Sequence, residues 1–462
     1  MASIRNFVPG SGYGNAYIDS LIWGGTAWDL GSGPVRVWLG ESVDFDQAVG
    51  VHGSSDHLRD AGAAYAWTQE EADSFSYAFG LYEAVCGLTF VAADSVEDAN
   101  MVLWKTQLDE AVGRHEIPSQ YQNWGYFDPT AESWQYRYLG GDGLHTIIHE
   151  LGHGLGLAHP HDGGAEDDRT TFPGVADPYS TGTYGLNQGV WTVMSYNTGW
   201  DEAGSNLAYG NQGGLGAFDI AALQALYGAN HATGAGDNTY DLPTGTTGWS
   251  CLWDAGGTDT IAAAPGSAGS TIDLRAATLR EGDPNAGGFV SSEDYVAGGF
   301  TIANGVTIEN ATGAGGPDDL SGNAVANTLL GGGGSDTLWG DGGNDVLRGG
   351  SGQDIFVFDT RPNKLTNKDW IADYNVAADN IWLDNAAFAK LGKGSYSKPV
   401  KLKSDMFVKA SRAQDREDRL IYDSKKGVLL YDADGTRSTY KPVEIATLKK
   451  GHKMTYEDFF VV

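Results

Sequence analysis

The chain has 462 residues, more than one ordinary core holds, so two or three domains are expected. Its net charge of -31 disfavours nucleic acid, which needs clustered cations, and leaves metal cations or plain solvation as the use of so much acid. The two cysteines, Cys86 and Cys251, make no disulfide framework and read as buried small apolar groups, and no apolar run is long enough to span a membrane.

The opening MASIRNFVPGSGYGN carries no apolar core segment and does not read as a secretory signal peptide. Lysine usage then divides the chain: residues 1–360 contain only Lys105, and the last hundred residues contain the other fourteen. With the loss of helical periodicity after 230, this gives expected units of 1–230, 231–360 and 361–462. In the first, Thr68 with Glu71 forms a capping box that opens a helix, which Gly87 stops. LTFVAA (88–93) and ANMVLWK (99–105) read as strands, residues 142–155 as a second helix, and LGAFDIAALQALYG (215–228) as a third. In the last unit, RLIYD and VLLYD flank a Lys-Lys-Gly turn and read as a hairpin.

HELGHGLGLAHP (149–160) lies on the second helix. His149 and His153 are one turn apart and share a face, so both imidazoles reach one ion. Glu150 is offset by about 100° and stands beside that ion instead of ligating it. Gly156 is where the chain takes a positive φ and leaves the helix, which brings His159 back under the first two, and Pro160 fixes the exit. Three neutral nitrogens with one open position are the arrangement of a catalytic zinc. Zinc lowers the pKa of water to about 7, and Glu150 is placed to accept the proton and return it to a leaving amine. The histidines His52, His57, His115, His145, His231 and His452 stand alone and read as surface or structural.

The His-Glu-x-x-His-x-x-Gly-x-x-His spacing, with TVMSY (192–196) downstream, resembles the metzincin zinc peptidases, and Pro160 after the third histidine resembles their serralysin branch. The resemblance implies that Met194 forms an apolar floor beneath the zinc. It also implies that Tyr196 is an additional zinc ligand and transition-state donor, and that ANMVLWK is the sheet edge that pairs with substrate. His161 departs from the usual pattern and receives no role.

Five nine-residue units starting at 313, 322, 331, 340 and 349 follow without a gap. The sixth places are Asp318, Asn327, Asp336, Asp345 and Asp354; the eighth are Leu320, Leu329, Leu338, Leu347 and Phe356. A strict period means a stacked solenoid. Gly316, Gly332, Gly334, Gly343, Gly350 and Gly352 allow tight turns with carbonyls pointing inward. The sixth-place carboxylates complete oxygen cages that select calcium. Two units make one turn, so Asp336 is expected beside Asp318 and Asp354, with Asp345 on the other edge; the Asn327 edge is degenerate. By resemblance to serralysin, one further calcium is implied at Gly234, Gly236, Asn238, Asp254, Gly256 and Asp259, and another at Gly257, Asp259, Thr307 and Glu309.

The expected fold is therefore α+β. It has a metzincin-like domain with a twisted, antiparallel-edged sheet and long helices, an all-β parallel roll, and a β-rich C-terminal extension. The resemblance implies a monomeric bacterial metalloendopeptidase with one catalytic zinc and several structural calcium ions, acting outside the cell on proteins or peptides. The acidic-then-apolar end TYEDFFVV resembles the signal of type I secretion, which makes an ABC exporter an expected partner; a proteinaceous inhibitor is a further one. Neither nucleic acid nor stable membrane insertion is expected. The alternative is a calcium-dependent adhesin-like binding protein with a vestigial protease domain.

Overall fold

The computed structural model describes residues 2–52, 64–109, 111–164, 170–245 and 247–462; His57 lies outside them. Strand β1 (Ile4–Val8) pairs antiparallel with β2 (Gly25–Trp28), and helix α1 (Ala16–Leu21) lies between them in sequence. A five-stranded sheet follows, built from β3 (Val35–Gly40), β4 (Phe90–Ala92), β5 (Met101–Lys105), β6 (Gly113–His115) and β7 (Asn123–Phe127) in the order β4-β3-β5-β7-β6. All neighbours are parallel except β6, which runs antiparallel along the edge.

ANMVLWK is thus the central strand, not the edge. All five β5 residues are buried, and the strand pairs with β3 on one side and β7 on the other. A run apolar at every position marks a strand covered on both faces, whereas a half-exposed one alternates. The edges are β4 and β6, and the one lining the histidine cleft is β6, whose short, polar Gly-Arg-His gives little periodic signal.

Helix α2 (Phe45–His52) precedes α3 (Gln69–Val85). Helix α3 starts at the Thr68–Glu71 capping box: Thr68 Oγ1 accepts from Glu71 N, and Glu71 Oε2 accepts from Thr68 N at 2.8 Å. The same buried carboxylate takes Lys105 Nζ at 2.6 Å and Trp134 Nε1 at 2.8 Å, which ties the helix to β5. Lys105 and Trp134 hold the Glu71 carboxyl at about 2 against the burial that would raise it. Helices α4 (Asp142–Gly154) and α5 (Ala217–Tyr227) complete the α layer, and α5 ends at Gly228 with φ +71°.

The second half is a parallel roll. One sheet of ten strands begins with Thr239–Asp241, Thr260–Ala262, Asn310–Thr312, Thr328–Gly333 and Val346–Ser351. The facing sheet of eight includes Ser270–Asp273, Asp318–Ser321, Thr337–Trp339 and Ile355–Phe358. Register follows the two-unit turn: Leu320 pairs with Leu338, Leu338 with Phe356, and Leu329 with Leu347. All five eighth-place side chains are fully buried between the sheets.

The sheets do not stop at residue 360. Asp369–Ile371 continues the first and Asn380–Leu383 the second. The 420–431 hairpin joins the first sheet through Val443–Thr447, and the apolar end Phe459–Val461 joins the second, buried beside Asn380–Leu383. The lysine-rich region therefore extends the same two ladders; the change in composition is a change of surface. Cys86 is buried, Cys251 is partly exposed, and neither is bonded to the other.

Candidate metal centre

The site is assembled by one helix end and two turns. Helix α4 carries His149, Glu150 and His153, all buried. Beyond Gly154 the chain reverses. Gly156 has φ +97°, its N–H donates to His153 O at 2.9 Å, and Leu157 N donates to Gly152 O at 2.9 Å. That backbone suits glycine and returns the chain toward the helix. It delivers His159, whose Nε2 lies 3.1 Å from His149 Nε2 and 3.0 Å from His153 Nε2. Pro160 follows, and its carbonyl takes Phe172 N at 2.9 Å.

Every Nδ1 of the three rings faces an acceptor. His149 donates to Val193 O at 2.8 Å, His153 to Leu157 O at 2.9 Å, and His159 to Asp162 Oδ2 at 2.6 Å. With each ring proton committed at Nδ1, three Nε2 lone pairs face one another. Ligands at 2.0–2.1 Å around a tetrahedral ion stand about 3.3 Å apart, so the trio fits zinc. Burial and the neighbouring rings keep His149 well below the ordinary histidine range, and burial puts His153 at about 3, so both are neutral at physiological pH.

The sequence alone does not mark Asp162 or Asp219 as part of this cluster. Asp162 orients His159, as a carboxylate behind a ligating histidine does. Asp219 enters from α5: it accepts from Thr192 Oγ1 at 2.6 Å, Val193 N at 2.7 Å and Gly216 N at 2.8 Å. It thereby fixes the turn whose Val193 carbonyl orients His149. Burial lifts the Asp219 carboxyl to about 6, and those three bonds oppose the rise. Its only sequence signal is its place in the first turn of α5, where acids are common. Met194 is fully buried in the same turn, and its Sδ occupies the space a side chain at Gly152 would need.

Glu150 lies beside the trio in a cleft of about 640 Å³ that β6 and Tyr196 also line. A Cβ on Gly113 would collide with the Glu150 side chain, so the edge strand needs glycine there. Burial raises the Glu150 carboxyl to about 8, against the pull of Arg114 and the His115 backbone N–H. The Tyr196 ring is half-exposed and sits 4.7 Å from the ring of His159 and 6.1 Å from that of His149.

Of the other histidines, His115 is buried under Gly154, His145 is buried on α4, and His52 contacts Glu116 at 3.1 Å. His231 is exposed and His452 partly so.

In the roll, the predicted cation residues also meet. Asp318 N donates to Asp336 Oδ1 at 2.9 Å, and Asp336 N to Asp354 Oδ1 at 3.1 Å, forming one carboxylate ladder. Asp345 stands on the other edge, where Asn327 N reaches its Oδ1 at 2.8 Å. Asn327 donates its own amide to Glu309 O at 3.0 Å, so this degenerate position satisfies itself without a cation. Gly332, Gly334, Gly343, Gly350 and Gly352 have positive φ; Gly316 does not, but a Cβ there would strike the Ala268 carbonyl. The first-place glycines Gly313, Gly331, Gly340 and Gly349 each lie under the carboxylate of their own repeat, leaving no room for a Cβ. Asp336 Oδ2, Asp345 Oδ2 and Asp259 Oδ2 are buried and lack a hydrogen-bond partner among the described residues. Such orphaned oxygens fit a hard cation.

Upstream, Asn238 N donates to Asp259 Oδ1 at 2.7 Å, and the Asn238 amide lies against the carbonyls of Gly234 and Gly236. Asp254 covers Gly234 and accepts from Gly256 N at 2.7 Å. Gly257 approaches the Gly236 carbonyl, and Asp259 N donates to Glu309 Oε2 at 2.8 Å. Thr307 lies two residues before Glu309 in the connection from Ile302 to Asn310.

Residues 219–461, more than half of the chain, match the family described as Peptidase M10 serralysin C terminal. The chain belongs to the serralysin family. The match begins at Asp219, the residue that fixes the 192–193 turn, and runs through both roll sheets. A serralysin from Photorhabdus luminescens is 41% identical over 274 residues, covering 55% of this chain and 52% of the relative. A serralysin from Photorhabdus laumondii is 37% identical over 341 residues, covering 70% and 62%. The metallopeptidase AprA of Pseudomonas marginalis is 38% identical over 206 residues, covering 40% and 39%. Across these serralysin-type relatives the chain spans between 39% and 62% of their lengths.

Proposed function

We propose that this chain is a secreted zinc-dependent endopeptidase that hydrolyses peptide bonds of extracellular proteins. The observation that carries the reading is the convergence of three Nε2 lone pairs, 3.0 and 3.1 Å apart, beside the buried Glu150 in an open cleft. His149, His153 and His159 would hold the zinc. When bound it supplies a Lewis acid that polarises the scissile carbonyl and eases ionisation of water. Glu150 takes a proton from the attacking water and passes it to the leaving nitrogen. Tyr196 donates its hydroxyl proton toward the carbonyl oxygen as negative charge grows there. The antiparallel edge of β6 offers backbone groups to an extended peptide. Casein hydrolysis that stops with a zinc chelator and returns with added zinc tests the reading; activity indifferent to the chelator overturns it.

Calcium is the proposed structural ion of the roll, held by the Asp318–Asp336–Asp354 ladder, by Asp345 and by the loops around Asp254, Asp259 and Glu309. Folding driven by extracellular calcium suits export in an unfolded state through an ABC exporter. No helix among the described residues is long and apolar enough to cross a membrane. The adhesin-like alternative has no specific support, because the proposed catalytic groups share one cleft.

Two variants probe the site's supports. Asp162→Asn removes the charge behind His159 and is expected to lower zinc affinity about 10–100-fold, read by competition with a chromogenic chelator. Unchanged affinity would deny Asp162 that role. Gly113→Val pushes on Glu150 from β6 and is expected to lower kcat/KM about 100-fold at unchanged zinc content. Wild-type kinetics in this variant would show that Glu150 does not depend on that gap.

A further inference from the structure

His161 takes no part in the centre described above, yet it stands against it. Its ring stacks on His159 with centroids 5.1 Å apart and planes at 13°, and it meets Tyr196 at 5.1 Å. Its Nε2 lies 3.5 Å from Asp162 Oδ1. That is too long for a sound N–H···O bond, which falls at about 2.7–3.2 Å. Its Nδ1 is buried without a hydrogen-bond partner among the described residues. Neither ring nitrogen is well satisfied, therefore, although a carboxylate is adjacent. Asp162 Oδ2 is committed to His159 Nδ1 at 2.6 Å, which leaves Oδ1 turned toward His161.

A separation of 3.5 Å has another meaning. Two ligands at 2.0–2.2 Å from one tetrahedral ion stand about 3.4 Å apart. His159, His161 and Asp162 also bring one potential ligand atom each within 4.8 Å of one another. The two side chains keep 16% and 25% of their surface exposed, so solvent reaches the gap. Imidazole with carboxylate suits a borderline transition metal better than calcium, which prefers oxygen alone.

We propose that His161 Nε2 and Asp162 Oδ1 form a second, weaker site for a divalent transition metal of zinc's kind, and that excess zinc inhibits the enzyme by filling it. Two protein ligands with water in the remaining positions make the site weaker than the three-histidine centre. The inhibition follows from Asp162. Its other oxygen supports His159, so a dication on Oδ1 withdraws charge from that hydrogen bond and weakens His159 as a donor. The ion also adjoins Tyr196, whose ring contacts both His159 and His161. The inhibitory consequence rests on the proposed zinc peptidase; occupancy of the second site does not.

Equilibrium dialysis of the full chain against rising zinc in saturating calcium tests this, with casein hydrolysis followed in parallel. Wild type is expected to bind one tight equivalent and then a weaker one, with activity falling as the second fills. His161→Gly and His161→Phe are expected to lose the weaker equivalent and to shift the inhibition midpoint upward about 10-fold or more. His161→Phe keeps a ring against Tyr196, so loss of the second equivalent there assigns the effect to the nitrogen. A weaker equivalent that persists in both variants overturns the proposal, as does wild type saturating at one. Failure of the first centre is read separately, as a tight equivalent that survives His149→Ala.

Discussion

Glu150→Ala is expected to lower kcat by about 10²–10⁴-fold while one equivalent of zinc stays bound. The two halves of that result come from different atoms. The proposed zinc affinity would reside in the three imidazoles and in their partners Val193 O, Leu157 O and Asp162, none of which the substitution touches. The proposed proton transfer belongs to the carboxylate, which burial raises to about 8. Among the described residues, Arg114 is the cation whose charge bears on Glu150. Truncation to alanine therefore removes a costly buried acid without orphaning a buried cation, and folding survives. Glu150→Gln keeps the side-chain volume but cannot cycle a proton, so it is expected to be as inactive as alanine. Zinc content by atomic absorption and casein hydrolysis check both variants. Wild-type turnover in either would remove Glu150 from the chemistry and the peptidase reading with it.

The convergence of the three histidines is legible in the sequence because its information is local. His149, Glu150 and His153 sit at helical spacing, and Gly156 announces the reversal that returns His159. What was not legible comes from elsewhere in the fold. Asp219 reaches the 192–193 turn from a helix 26 residues along the chain. Gly113 matters through what its absent Cβ would strike on another element. By resemblance ANMVLWK reads as the edge, but only pairing reveals which strands lie between it and the boundary. In the roll, an unbroken nine-residue period fixed both the stacking and the inward leucines. Where the period breaks, the ladder continues unannounced: Asp345 N donates to Asp369 Oδ1 and Asp354 N to Asp379 Oδ1, at separations of 24 and 25 residues instead of 18. The same geometry survives insertions of six and seven residues, which no fixed-period reading follows.

Those aspartates make the calcium-free roll sensitive to pH, with a sign that can be worked out. Burial, with added repulsion from neighbouring carboxylates, raises Asp336 to about 7. Burial raises Asp379 to about 6. Asp345 and Asp369 face each other and are both raised, so the pair holds on to a proton well above the usual carboxylate range. Folded values above the ordinary 3.8 mean that protonation favours the fold. Their stabilising contribution is complete below about pH 4 and is lost as pH rises through about 6–8. Calcium replaces the protons at neutral pH, contributing about 2.7 kcal/mol per site once its concentration is 100 times Kd. Thermal melts followed by far-UV circular dichroism are therefore expected to show a chelated roll that is more stable at pH 5 than at pH 8. Saturating calcium is expected to raise the pH 8 melting temperature most and to flatten the dependence. Asp345→Asn supplies the contrast. It relieves the repulsion with Asp369, so the chelated variant gains stability at pH 8, yet it surrenders a charged ligand and responds less to calcium. A chelated wild type that melts at one temperature across pH 5–8 would mean that these carboxylates do not oppose the fold, and calcium would lose its proposed role of relieving them.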